Sequence, residues 1–491
     1  MARRSRDHRL RTTTHSHAPH LPRPLYRAPP PPRALHCQKN WLNDPNGLVY
    51  FAGEYHLFFQ HNPNGIEWGD MTWGHAVSKD LVRWTQLDNA ITPDALGTIY
   101  SGSAAVDWLN TTSFRDESKS ASPPLVAMYT AAGGQSPESK GKPFTQCLAF
   151  SNDNGRTWTK FAGNPVIPHI AAENRDPKII WYPPTKRWIV ALYEDGSRFS
   201  LHESPDLKHW TKLQDLEMPG CSECPDFFPL PLNGDKTQMR WVFTAADARY
   251  LVGTFDGRMF KPEGGVKQTD FGRNFYAVQS YSDLSTDQKG RTQIAWMRGP
   301  RRKDMPFNQQ MSFPTRVTLK STPDGPRLFR NPVSQLQTLH DGNPQAITAY
   351  SKSDVPTVNG SLIEFNAEAY HIQATIEPGS LEEVGLEVFG QPIRYTVADK
   401  TLHALGDVKV ELENDKLILE IIADRGSIET FAQNGRYALA SCFDPNTSGE
   451  KPRPIAVVIK GKEENDPDQP KGRAVMTLLV TPLKSMWERR R

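Results

Sequence analysis

Three carboxylates stand in settings that could do chemistry. Asp44 lies in WLNDPNG (41–47), Asp176 in NRDPKIIWYP (174–183) and Glu223 in GCSECPDFFPL (220–230). Asp-Pro-Asn-Gly is a good β-turn, so Asp44 is either a turn residue or a reacting acid. Pro177 pushes Asp176 towards extended geometry, and Arg175 before it can pair with a carboxylate or with sugar hydroxyls. Glu223 sits between Cys221 and Cys224, before Pro225 and beside Phe227 and Phe228. A carboxyl held against apolar surface has its pKa raised, as a general acid near neutral pH requires. Trp41, Trp68, Trp73, Tyr100 and Trp181 lie near these motifs in sequence. Taken singly, each acid reads as a turn, ion-pair or capping residue. Together, with aromatic faces nearby, they suit the binding of sugar rings and the cleavage of a glycosidic bond by paired carboxylates.

Acids this far apart in sequence need a fold that brings loop and strand ends together. A repeat supplies it: SKDLVRWT (78–85), SNDNGRTWT (151–159) and SPDLKHWT (204–211). In each, Asp is expected to accept backbone N–H bonds in a tight turn while Trp packs under the neighbouring strand. The spacing of about 50–75 residues matches one four-stranded propeller blade with its loops. Helical periodicity is almost absent. The chain therefore reads as all-β, with a β-propeller over 37–325, a linker over 326–340 and a β-sandwich over 341–487. The sandwich is announced by alternating runs such as YHIQATIEP and KLILEIIADRGSIETF, and by the hairpin signal Asn434-Gly435. It is expected to stabilise the propeller, with a part in substrate binding or dimer formation as the other reading.

The chain has 491 residues, with 58 basic and 55 acidic side chains. Residues 1–36 hold eight of the Arg and one Asp, leaving 50 basic against 54 acidic side chains in the rest, so nothing argues for nucleic acid. That segment, with seven Pro, reads as a disordered arm without the apolar stretch of a signal peptide. No run of about 18 apolar residues crosses a membrane. Five scattered Cys make no disulfide framework, and a lone C-x-x-C at Cys221 and Cys224 is a poor zinc site, so no metal is expected.

The motifs in order resemble glycoside hydrolase family 32, which holds invertases, exo-inulinases and levanases. WLNDPNG, RDP and ECPDFF are similar to its three acidic motifs. FFQHNP, WGDMTWGHA, YSGSA, DFGRNFYAVQ, IAWM and DRGSIETF follow its order, over about residues 35–485. The resemblance implies a five-bladed propeller with a C-terminal sandwich. It implies retaining, exo-acting hydrolysis of terminal β-fructofuranosyl groups from fructans and sucrose, without metal or cofactor. Asp44 would be the nucleophile, Glu223 the acid/base, and Asp176 the residue holding fructose hydroxyls. Asn43, Gln60, Trp68, Tyr100, Ser101, Arg175 and Trp296 would line the terminal-fructose subsite. A retaining pair stands about 5–5.5 Å apart, with Glu223 protonated while Asp44 is charged. Three positions depart from the common pattern: Ser222 where many relatives have an aromatic, Tyr100 for Phe, and Asn274 for Asp.

Other readings use the same residues. Fructosyl transfer shares the covalent intermediate. A non-catalytic sugar-binding propeller would keep the aromatics and not need the acids. An inverting propeller would space its carboxyls about 6.5–9.5 Å apart. SNDNGRTW also fits the Asp-box of sialidases, but only one repeat has the Gly-x-Thr form. Linkage preference is expected to lie in loops beyond the subsite, with 298–314 a candidate. The protein is expected to be a monomer or homodimer. Secretion or a periplasmic location follows from the resemblance alone.

Overall fold

The computed structural model describes residues 35–486 except 119–121, 285–289, 302–304, 351–356, 362–366, 445–454 and 461–473. Most of the expected arm lies outside the described residues. Its last two positions do not: Leu35 and His36 are buried, and Leu35 accepts a bond from Met311 N at 2.8 Å.

Five four-stranded antiparallel blades follow one another. Their innermost strands are Asn40–Phe51, Thr98–Val106, Arg175–Tyr182, Asp226–Leu232 and Phe275–Ser280. The outermost full strand of the fifth blade is Gly325–Pro332, so 326–332 are not linker. Pro at both ends disguises that strand in the sequence, yet it pairs with Thr315–Thr322 along its whole length. The ring closes where Phe307–Asn308 runs parallel to Asn40–Trp41 and where Val49 bridges Ser282.

The repeated Ser-x-Asp turn joins the third and fourth strands of the first three blades. Asp80 Oδ1 accepts the N–H of Val82 and Arg83, Asp153 Oδ1 those of Arg156 and Thr157, and Asp206 Oδ1 those of Lys208 and His209. Trp84, Trp158 and Trp210 each donate Nε1–H back to a carbonyl of the same turn. The turn therefore satisfies its own polar groups while the indole packs inward. Asp206 also receives His209 and Ser204, and these bonds outweigh burial to hold its pKa below the ordinary value. A depressed acid stabilises the fold above its unfolded pKa and loses that effect as pH falls from there through its lower folded pKa. Asp206→Ala should cost about 1–2 kcal/mol at pH 7, a fall of about 2 °C in Tm. The gap to wild type should narrow as thermal scans move to about pH 3.5; a gap independent of pH would disprove the ionic part.

Two six-stranded sheets form the sandwich, ordered Gln345–Tyr350, Val475–Pro482, Ala369–Glu377, Leu417–Asp424, Ser427–Ala432, Tyr437–Cys442 in one and Thr357–Ser361, Ile455–Lys460, Glu383–Val388, Gln391–Thr396, Thr401–His403, Asp407–Lys409 in the other. Alternating residues such as Ile372, Leu386, Leu419 and Val457 fill its core. A separate cluster joins it to the propeller through Phe313, Leu339, Ile422 and Phe431.

Candidate active site

The innermost strands all present residues at one end of the propeller axis. Asp44 comes from the first, Ser101 from the second, Asp176 from the third, Glu223 from just before the fourth, and Tyr276 from the fifth.

Asp44-Pro45-Asn46-Gly47 is not a reverse turn. It runs through the innermost strand with register breaks at Asn43/Pro45 and Asn46/Val49. Gly47 takes φ +53°, and a Cβ there would come within 2.6 Å of Phe58 and 2.9 Å of Trp73. The bulge turns Asp44 to the axis. Its Oδ2 accepts Ser101 Oγ at 2.6 Å and its Oδ1 accepts Asn43 Nδ2 at 3.0 Å. Trp41 Nε1 in turn fixes Asn43 Oδ1 at 2.7 Å. Neutral donors thus orient this carboxylate, and no cation among the described residues is bonded to it. Asp44 keeps an exposed edge, but the protein around it strips its water, and burial raises its pKa against the bonds from Ser101 and Asn43, with the Glu223 charge adding to the rise.

Asp176 is not extended. Its φ is +64°, and Glu223 and Cys224 follow suit at +59° and +43°. Left-handed non-glycine backbone costs on the order of 1–3 kcal/mol and gathers at functional sites. Here it lets Cys224 N donate to Asp176 Oδ2 at 2.9 Å. Thr130 Oγ1 holds the Asp176 N–H at 3.0 Å. The Cys224 thiol lies 3.7 Å from Asp44 Oδ2 and 3.5 Å from Asp176 Oδ2. Burial, opposed by Arg175 and reinforced by Glu223 and Asp44, pushes Asp176 up to about 7.

Glu223 differs from the expectation of an apolar pocket. Arg175 Nη2 donates to its Oε1 at 2.6 Å, and the Tyr276 hydroxyl donates to its Oε2. Burial would raise its pKa, but those two bonds, with the charges of Arg175 and Arg298, hold it below the ordinary value. The rise expected at Glu223 is thus absent in this arrangement, and burial raises Asp44 instead. Arg175 is itself fixed by the Glu173 carbonyl at 2.6 Å and by the Tyr193 ring, 4.8 Å from its Cζ. Ser222, the departure next to Glu223, puts a polar side chain near Tyr276 that opposes the rise in the tyrosine's pKa.

The remaining sequence candidates stand around this cluster. Gln60 pairs with Asn43 across the first blade, is 2% exposed, and its Nε2 has no partner. Trp68, 51% exposed, meets Tyr100 edge-on at 6.0 Å. Trp296 lies edge-on to Trp41 and Tyr276 and bonds Gln309. Trp73 and Trp181 are not sugar platforms: Trp73 is fully buried with Nε1 on Tyr100 O, and Trp181 packs on Trp188. Tyr276, Cys224, Tyr193 and Thr130 escape a reading by motif. Tyr276 had a signal, an aromatic within DFGRNFYAVQ, but nothing in the sequence said which acid it meets. Among the described residues no cluster of His, Cys, Asp and Glu could hold a metal ion. A cavity of about 320 Å³ lies elsewhere, lined by Asn331, Gln373, Glu420 and Leu479. It contains one acid and no cation, so chemistry, not volume, selects the carboxylate cluster.

Residues 35–332 match the glycosyl hydrolases family 32 N-terminal domain. The chain is 35% identical to a levanase of Bacillus subtilis, over 92% of this chain and 70% of that protein. It is 33% identical to an extracellular exo-inulinase of Aspergillus niger, over 85% and 90%. The exo-inulinase structure from Aspergillus awamori superposes with a TM-score of 0.79 at 25% identity, covering 93% of this chain and 99% of that one. With its propeller-and-sandwich fold and its axial group of acids, this chain belongs to glycoside hydrolase family 32 and is a glycosidase.

Proposed function

We propose that the protein is a retaining, exo-acting β-fructofuranosidase that removes terminal fructose from fructans and from sucrose. One observation carries the assignment of roles: among the described residues Asp44 is held by neutral donors, while Arg175 is bonded to Glu223. An anion oriented by neutral donors keeps its nucleophilicity. Asp44 attacks the anomeric carbon as the glycosidic bond breaks, and Glu223 gives its proton to the leaving oxygen. Water then releases the sugar, with Glu223 taking the proton back. Asp176 and Arg175 hold fructose hydroxyls, and the Asp176 carboxylate stabilises the positive charge that develops on the ring. Asn43, Gln60, Trp68, Tyr100, Ser101 and Trp296 shape the subsite. A hydroxyl that draws Arg175 from Glu223 Oε1 removes the strongest bond to the charged form of Glu223 and so favours the proton it must donate.

Exo action is supported from below. Two and three residues beyond the acids, Lys178 and Asp226 meet on the axis at 3.3 Å, fully buried. Lys178 also donates to Ser280 O at 2.6 Å, and Arg291 donates to Ser280 Oγ. Charged groups buried beneath the carboxylates leave no room for a further sugar on that side, which supports a site that takes a chain end. The relatives' names, levanase and exo-inulinase, supply the substrate class. The test is product analysis on levan, inulin and sucrose. Free fructose is expected as the first and main product from levan and inulin, and in equal amount with glucose from sucrose. Early oligosaccharide ladders would disprove exo action, growing fructosyl oligomers would show a transferase, and no turnover with retained binding would leave a sugar-binding propeller.

A further inference from the structure

The fifth blade aims one more charge at Glu223. Arg298 follows the strand Arg291–Met297 and is exposed. Its Cζ stands 4.8 Å from the Tyr276 ring centroid, a cation–π distance, and Tyr276 is the residue bonded to Glu223 Oε2. No hydrogen bond ties its guanidinium to a described residue, and its exposed charge stands close enough to act on Glu223.

Its backbone is not free. Arg298 N donates to Asn274 O at 2.8 Å, and Asn274 Nδ2 donates to Arg298 O. The Asn274 Oδ1 accepts Cys442 N at 2.8 Å, and Asn274 N donates to Ala440 O at 3.2 Å. Ala440 and Cys442 belong to the sandwich strand Tyr437–Cys442. Asn274 therefore donates to the propeller and accepts from the sandwich at once. An ionised Asp, which only accepts, could not do both. This explains the residue that departed from the family pattern. Gly299 fits the same junction: a Cβ there would come within 2.7 Å of Cys442.

We propose that Arg298 is a positioning residue on the leaving-group side of the site, binding hydroxyls of the departing sugar and bracing Tyr276 against Glu223, and that the sandwich holds it there through Asn274. The proposal rests on the reading of Glu223 as acid/base. It gives the sandwich a part in the reaction beyond covering one face of the propeller. The leaving sugar is the part that differs between sucrose and the fructans, so Arg298 bears on their discrimination. Its positive charge also adds to the bonds that keep Glu223 below its ordinary pKa.

The test compares wild type with Arg298→Ala, Arg298→Gln, Arg298→Lys and Asn274→Ala, on sucrose and inulin, with thermal scans to establish folding. Losing a charged hydrogen bond to the leaving sugar should raise KM about tenfold in Arg298→Ala and Arg298→Gln. Removing the charge lets Glu223 keep its proton to higher pH, so the alkaline limb of kcat/KM should rise by about half a pH unit. Arg298→Lys should keep the limb in place and recover KM only in part, lacking the planar fork. Asn274→Ala should move both quantities in the same direction by less. Folded Arg298→Ala and Arg298→Gln with unchanged KM and limb would overturn the proposal, and a raised KM with an unmoved limb would overturn the link to Glu223. An inactive wild type would instead overturn the fructosidase reading.

Discussion

Asp44→Asn will lower kcat for fructose release from sucrose by on the order of 10⁴-fold or more, with KM moving by less than about tenfold. The substitution keeps the shape of the side chain. Its amide oxygen can still accept one of the two bonds now made by Ser101 and Asn43. No cation among the described residues is bonded to Asp44, so no buried positive charge loses its partner, and the fold should survive with its Tm within a few degrees. What disappears is the anion that must form the bond to the anomeric carbon. An amide cannot replace it, and water attacking directly would need a base on that face. The other acids are committed elsewhere: Asp176 to Cys224 N, and Glu223 to Arg175 and Tyr276. Substrate binding should persist, because the subsite residues are untouched. A kcat within tenfold of wild type would remove Asp44 from the chemistry and make its motif only a bulge. Mass analysis offers an independent check, since a slow fluorinated fructoside should label Asp44 in the wild type and not in the variant.

What could be read without coordinates divides along physical lines. The Asp turns were legible because a short polar side chain, a tight bend and a Trp at fixed offsets form a local device that needs nothing distant. The acids were legible as candidates because each sits in an unusual local context, and the family pattern ordered them. The backbone at the site was not. Asp-Pro in isolation favours extended geometry, yet Asp176 takes positive φ because Thr130 and Cys224, far away in sequence, hold both its ends. Glu223 was misread for the same reason. The Phe residues after it suggested an apolar pocket, but both are fully buried in the blade cores, and its own contacts are Arg175 and Tyr276. Neighbours in sequence along a strand point to opposite faces, so apolar neighbours say little about a side chain that faces the axis. Asn274 had no reading at all until its two partners, one in each half of the chain, could be seen.

Glu223→Ala should produce the second large effect, and its dependence on leaving group and pH carries the argument further than its size. General acid assistance is worth about 10²–10⁴-fold, so sucrose, whose departing sugar needs the proton, should lose turnover near the upper end of that range. A fructoside with an acidic aryl leaving group needs no proton to depart. It should form the covalent intermediate on Asp44 at close to the wild-type rate and then stall, giving a burst of phenol. Azide requires no base and should restore turnover, yielding the β-fructosyl azide with retained configuration. The pH profile should also change in a definite direction. The pair now titrates in two macroscopic steps, and activity spans the window between them. With Glu223 gone the alkaline limb should vanish. The acid limb should not move to lower pH, because Glu223 keeps its proton there and its charge adds to the rise in the Asp44 pKa only once it is ionised. A variant that keeps its alkaline limb, or one that azide cannot revive on the aryl substrate, would assign the acid/base role to another residue.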